Sequence, residues 1–227
     1  MLNLHFLLFT FHLVFSVNAT PNYCEKLDAN TDVITLPHTN QHITVACSRG
    51  WIVLQRRING FVNFQRNWDD YKWGFGELYG DYWLGLEKAH RLTSSRQFHL
   101  KIEIENWKGK KGEAYYPVIV IGSENEKYRI TQLGVARLYG ISSDNFGQHA
   151  HTEFQVDTPC AKMLFAGWWW RNCYSTNLNS LYAFGDDRLR PCPKCINWLG
   201  FYSEVPLKYV QMTIQVADAD AGRRSKH

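Results

Sequence analysis

Between Cys160 and Tyr182 the chain reads Cys-Ala-Lys-Met-Leu-Phe-Ala-Gly-Trp-Trp-Trp-Arg-Asn-Cys-Tyr-Ser-Thr-Asn-Leu-Asn-Ser-Leu-Tyr, and no other stretch restricts the fold as much. Two cysteines, Cys160 and Cys173, lie thirteen positions apart. They bracket an apolar run and three consecutive tryptophans, Trp168 to Trp170. In an oxidising compartment they would close a tight loop, which contributes about 3 kcal/mol on loop-closure grounds. The short polar side chains Ser175, Thr176, Asn177 and Asn179 follow. Two arrangements satisfy this composition. Indole faces beside amides make the wall of a ligand pocket. Alternatively the tryptophans fill a core and the asparagines cap turns.

The compartment is read from the other end of the chain. Leu2 to Val17 is almost entirely apolar, and Val17-Asn18-Ala19 supplies the small residues a signal peptidase requires. Residues 1–19 therefore read as a secretory signal, although their start lacks a Lys or Arg. The run is short for a membrane-spanning helix, and no later stretch is apolar for long enough. Residues 20–216 form the folding unit. Residues 217–227, with Arg223, Arg224, Lys226 and His227, form a basic tail of the kind that is usually a solvated end. A net charge of only +4 gives a nucleic-acid partner little support. Six cysteines in an exported chain predict three disulfides, and fifteen pairings are open.

Periodicity then places the elements. Ile34–Pro37 and Ile43–Cys47 read as short strands. Gly50 breaks into Trp51–Arg57, rich in β-formers. Asn59-Gly60 is a two-residue turn signal, with Phe61–Phe64 as its returning strand. Trp68–Trp73 reads as a helical turn, Gly74, Gly76 and Gly80 as a loop, and Leu86–Leu92 as a short helix. Phe98, Leu100, Ile102 and Ile104 alternate with His99, Lys101, Glu103 and Glu105, which predicts a half-buried strand. Lys108–Gly112 is a basic turn, Ala114–Ile121 and Lys127–Ile130 are further strands, and Tyr209–Val216 is a final alternating one. The class is α+β: a twisted antiparallel sheet, short helices and a loop-rich C-terminal third.

The tryptophan stretch resembles the segment Gly-Ala-Trp-Trp-Tyr-x-x-Cys-His-x-Ser-Asn-Leu-Asn-Gly of fibrinogen C-terminal domains, the module of ficolins, tachylectins, tenascins and angiopoietins. A second block, from Gly50 to Thr93, agrees. It holds Gly-Trp-Ile-Val-Leu-Gln-Arg-Arg, then Asn63-Phe-Gln-Arg-Asn-Trp-Asp-Asp-Tyr-Lys-Trp-Gly-Phe-Gly, then Tyr82-Trp-Leu-Gly-Leu and His90-Arg-Leu-Thr93. The resemblance covers about residues 24 to 216. It implies disulfides Cys24–Cys47 and Cys160–Cys173, which leaves Cys192 and Cys195 to each other. A structural clip is expected for Cys192-Pro-Lys-Cys195, not a redox site, because no thioredoxin-like pattern surrounds it.

The resemblance also implies two sites. A calcium loop of the form Asp-x-Asp-Asn-Asp would precede Cys160, but Ala150 and Thr152 stand where its two principal aspartates belong. Calcium needs six to eight oxygens, so no cofactor is expected. In the same segment His149, His151 and Glu153 would share one face if the segment were a strand, and are weak candidates for zinc or copper. The second site is an acetyl-group pocket beside the second disulfide. It implies a cis peptide at Asn172–Cys173 and ligand contacts from Trp169, Trp170, Asn172, Cys173, Tyr174, Asn177 and Trp198. Tyr174 replaces the family's His, and Cys192-Pro193 replaces a Tyr-Ala. No enzyme motif stands out. The expected function is a secreted recognition protein, lectin-like, taking surface glycans or acetylated groups. The alternative is a protein-binding ligand or matrix module of angiopoietin or tenascin type. A homo-oligomer is compatible with either, though no oligomerising stalk is visible in the sequence.

Overall fold

The computed structural model describes residues 23–24, 31–36, 39, 41–171, 173, 175–201 and 205–217. Residues 1–19, read above as a secretory signal, lie outside the described residues, as does the tail beyond Ala217.

Strands β1 (Thr31–Thr35) and β2 (His42–Ser48) pair antiparallel around Ile34 and Ile43, and the Cys24–Cys47 disulfide ties their base. Arg49 and Gly50 both take positive φ, +50° and +83°, so the chain reverses at once into β3 (Trp51–Arg57). The expected return of Phe61–Phe64 does not form a strand. The buried Asp81 carboxylate instead accepts from the amides of Ile58, Asn59 and Gly60 at 2.6, 3.1 and 2.9 Å, which holds the turn in place of a partner strand. Helix α1 (Trp68–Trp73) starts where Asn67 Oδ1 accepts from the Asp70 amide. The small hairpin of β4 (Phe75–Gly76) and β5 (Tyr82–Trp83) then pairs with β3. Helix α2 (Leu86–Ser95) runs one turn past its predicted end and buries Leu86, Ala89 and Leu92.

Next comes β6 (Phe98–Asn106), in which every odd-placed residue of the predicted row is buried. It pairs with β7 (Lys111–Ile121), which pairs in turn with β8 (Ile130–Leu133) and β9 (Arg137–Tyr139). The strand expected over Lys127–Ile130 begins only at Ile130. Lys127 and Tyr128 take positive φ after a 3-10 turn capped by Ser123, which no strand tolerates. Helix α3 (Pro159–Leu164), β10 (Thr176–Asn177) and β11 (Asn197–Trp198) make the loop-rich third.

The last strand, β12 (Leu207–Val216), is central: the sheet order is β1-β2-β3-β12-β6-β7-β8, with β5 and β9 attached to β3 and β7. Its two-faced alternation does not survive. Val210 to Ile214 are all buried, because the turn before β3 folds over the outer face. Gln211 Nε2 donates to Ser48 Oγ and Gln215 Nε2 to the Gly50 carbonyl. Among the described residues no helix is long and apolar enough to cross a membrane.

Candidate functional site

The tryptophan run is aimed by α3. Thr158 Oγ1 accepts from the Ala161 amide and Pro159 occupies the first turn, so the helix start is fixed by its sequence. Phe165 ends it in the left-handed region. Trp168 then exchanges two backbone hydrogen bonds with Gln155, at 3.0 and 3.1 Å. Trp168, Trp169 and Trp170 are at most 7% exposed. Trp169 packs on Trp83 and Phe154, and its indole N–H donates to the Tyr128 carbonyl at 2.8 Å. Trp169 and Trp170 are therefore core, not a stacking platform. The apolar run before Cys173 had to be buried, and Trp83, Phe146 and Phe154 supply the cover.

The asparagines are also consumed internally. Asn177 Oδ1 accepts from the Asn179 amide, and Asn177 Nδ2 donates to Ser180 Oγ. Asn179 Nδ2 donates to the Gly167 carbonyl at 3.0 Å. Gln55 Nε2 reaches the Leu178 carbonyl at 2.7 Å, and Arg57 reaches the Ser180 carbonyl at 2.7 Å. Arg57 is buried, faces Asp81 at 3.6 Å and lies over the Phe64 ring. Asn179 thus brackets the tryptophan turn against β3, while the Asn177 amide is engaged within its own turn. Asn172 and Tyr174 lie outside the described residues, and with them the Asn172–Cys173 peptide.

His149 joins the same bracket. It is fully buried; its Nδ1 donates to the Trp169 carbonyl at 2.6 Å, and its Nε2 lies 3.2 Å from Ser175 Oγ. Burial first, and Arg171 nearby, push the imidazole down to about 4. His149 ends a 3-10 turn, not a strand, and His151 is exposed at φ +63°. Glu153 pairs with Lys127 at 3.0 Å and Arg129 at 2.8 Å. The three are not brought together, because the even spacing needs an extended backbone. The two aspartates flanking this segment are engaged: Asp144 accepts from Tyr116 and the Gly147 amide, and Asp157 pairs with Lys162. Among the described residues one group approaches metal-ligand spacing, Cys24, Asp32 and Cys47, and its cysteines are bonded to each other.

The two segments expected to flank a ligand do meet. Thr176 pairs with Trp198 and Asn177 with Asn197, and the Leu199 amide donates to the Ser175 carbonyl at 2.9 Å. Cys160–Cys173 and Cys192–Cys195 both form, so each side of this small sheet carries a clip. Trp198 is buried, its N–H on the Ser143 carbonyl at 3.0 Å. Its ring edge forms one wall of a pocket of about 180 Å³, completed by Pro191, Pro193, Phe201 and Val205, with Leu199 at the rim, 49% exposed. Of these, Pro191, Leu199, Phe201 and Val205 were not singled out from the sequence. The prolines around Cys192 were the available signal.

The description "Fibrinogen beta and gamma chains, C-terminal globular domain" matches residues 25–217. The chain is 41% identical over 143 residues to angiopoietin-4 of Bos taurus, covering 60% of this chain and 29% of that protein. It is 31% identical over 216 residues to tenascin-R of Gallus gallus, covering 86% and 16%. The chain thus spans less than a third of the length of these two relatives. The fibrinogen-like globe domain of human ANGPTL2 superposes with a TM-score of 0.77 at 31% identity, over 85% of this chain and 94% of that one. The antiparallel sheet, the disulfide-clipped loops and these matches together identify the chain as a member of the fibrinogen C-terminal domain family.

Proposed function

We propose that this domain is a secreted, non-catalytic recognition module that binds a protein partner through the loop face clipped by Cys192–Cys195. One observation carries the reading. Of the residues expected to hold a sugar, Trp169, Trp170, Asn177 and Trp198 are buried inside the fold, while the concavity beside the Cys192–Cys195 clip is lined mainly by apolar residues. An apolar pocket with prolines at its rim suits a hydrophobic side chain presented by a protein better than a hydroxyl-rich glycan. The clips keep the loop ordered before binding, which lowers the entropic cost of a small contact. Similarity to an angiopoietin and a tenascin supports the same reading, and three disulfides suit an oxidising, extracellular compartment. A glycan or an acetylated group is the second reading, supported by the approach of the two pocket segments through Thr176–Trp198.

The test runs a cell-surface protein pull-down beside a glycan array, each with and without EDTA. The wild-type domain is expected to capture a protein that Leu199→Asp does not, with secretion unchanged and the array blank. Saturable glycan binding, or capture indifferent to Leu199→Asp and Val205→Asp, would overturn the reading.

A further inference from the structure

A second concavity, of about 660 Å³, lies on the polar face of the central sheet. Strand register places its floor. Glu103 of β6, Glu113 of β7 and Tyr139 of β9 stand in one cross-strand row. Tyr209, Glu105 and Lys111 form the neighbouring row. Arg49, from the turn before β3, makes the far wall.

Two features set this surface apart from an ordinary solvated sheet face. Glu103 and Glu113 are directly opposite each other, a like-charge pair that costs stability. Their neutralisation is also incomplete. Lys208 at 2.7 Å and Lys111 at 3.8 Å serve Glu105, and Lys101 at 3.3 Å serves Glu103. Among the described residues the Glu113 carboxylate has neither an ion pair nor a hydrogen bond, and Arg49 has no carboxylate partner. Among the described residues the groove is therefore dipolar, with an unpaired carboxylate on one side and a guanidinium without a carboxylate on the other. They are separated by three strand spacings, about 14 Å. Tyr139, 60% exposed, and Tyr209 add ring faces and hydroxyls. Burial, then the nearby Glu103, pushes the Tyr209 phenol up to about 12, so it remains a donor at neutral pH.

We propose that this groove binds a mixed-charge peptide segment of a partner protein, seating an arginine side chain between Glu113 and Tyr139 and an acidic side chain on Arg49. A guanidinium matches a carboxylate in a two-point fork and lies flat against a tyrosine ring, which an ammonium does less well. Seating it also cancels the Glu103–Glu113 repulsion that the free domain carries. The groove shares no lining residue with the loop-face pocket, so the two readings fail independently.

The experiment titrates the intact secreted domain with acetyl-Gly-Arg-Gly-Glu-Gly-amide, read by amide chemical shifts and calorimetry. Shifts are expected at Glu113, Tyr139 and Tyr209. Glu113→Gln should weaken binding about tenfold or more, the scale of one charge-assisted pair. Arg49→Gln should weaken it by a smaller factor. Replacing the peptide's arginine with citrulline, which keeps the shape and removes the charge, should abolish it. Glu113→Gln should also melt no lower than wild type, since it removes a repulsion, and this separates lost binding from lost folding. Unshifted groove signals, equal affinity for Glu113→Gln, or equal affinity for the citrulline peptide would overturn the proposal.

Discussion

His149 shows how one side chain converts local chemistry into a property of the fold. Its imidazole is held at about 4 in the folded chain, chiefly by burial, against an ordinary value near 6.5. Below that ordinary value the unfolded chain takes up a proton that the folded chain refuses. Stability is therefore full above about pH 6.5 and is lost as pH falls from there toward 4. The loss from this group is on the order of 3 kcal/mol across the window. Urea denaturation at pH 7, 5.5 and 4 should show a steeper fall for wild type than for His149→Gln. Parallel curves would mean that the ring is not what titrates. The Asp81 carboxylate acts on the same scale. It faces the buried Arg57 and holds three turn amides, so Asp81→Asn leaves an uncompensated guanidinium and should cost about 3–5 kcal/mol. Chemical denaturation of the purified variant checks this, and a cost below 1 kcal/mol would contradict the role.

At the scale of elements, the disulfides divide the labour. Cys160–Cys173 closes a span of thirteen positions and Cys192–Cys195 one of three. Loop-closure entropy then gives about 3 kcal/mol for the first and about 2 for the second. The pair Cys160→Ser with Cys173→Ser should destabilise more than Cys192→Ser with Cys195→Ser. The second pair should instead weaken protein capture, because it frees the wall of the apolar pocket. If the Cys192–Cys195 variant keeps full capture, preorganisation of that loop is not what binding uses. The turn Ile58–Gly60 belongs to the same scale. Gly60 has φ +73°, and a Cβ there would stand 2.5 Å from the Phe184 ring, so Gly60→Ala should be among the costlier surface substitutions.

For the whole molecule the sheet order is the organising fact. Its last strand lies between β3 and β6, so the C-terminal segment completes the centre of the core. Truncation before Leu207 should therefore abolish folding altogether, seen as loss of secretion and of a cooperative melt. Calcium is tested at this scale too, because a ligand selective for the native state raises the global melting temperature. The segment before Cys160 lacks paired aspartates, and Asp144 and Asp157 are engaged elsewhere. Millimolar calcium should leave the melting temperature unchanged; a rise of several degrees would restore a calcium site.

What the sequence by itself determined was whatever depends on neighbours along the chain. The alternation of Phe98 to Glu105 specified β6 and its buried face, since side chains in a strand point to opposite sides. The segments Trp68–Trp73 and Leu86–Leu92 read as helices and are helical, and the family motifs carried the pairings Cys24–Cys47 and Cys160–Cys173. Tertiary structure alone decided which polar groups were left over. Whether Trp169 and the Asn177–Ser180 turn faced a ligand or the core depended on Gln55, Arg57, Tyr128 and Gly167, which are distant in sequence and arrive only when the sheet closes. The same closure covered β12 on both faces and set Glu103 opposite Glu113. Burial and cross-strand pairing are relations between segments, and residue spacing within one segment does not encode them.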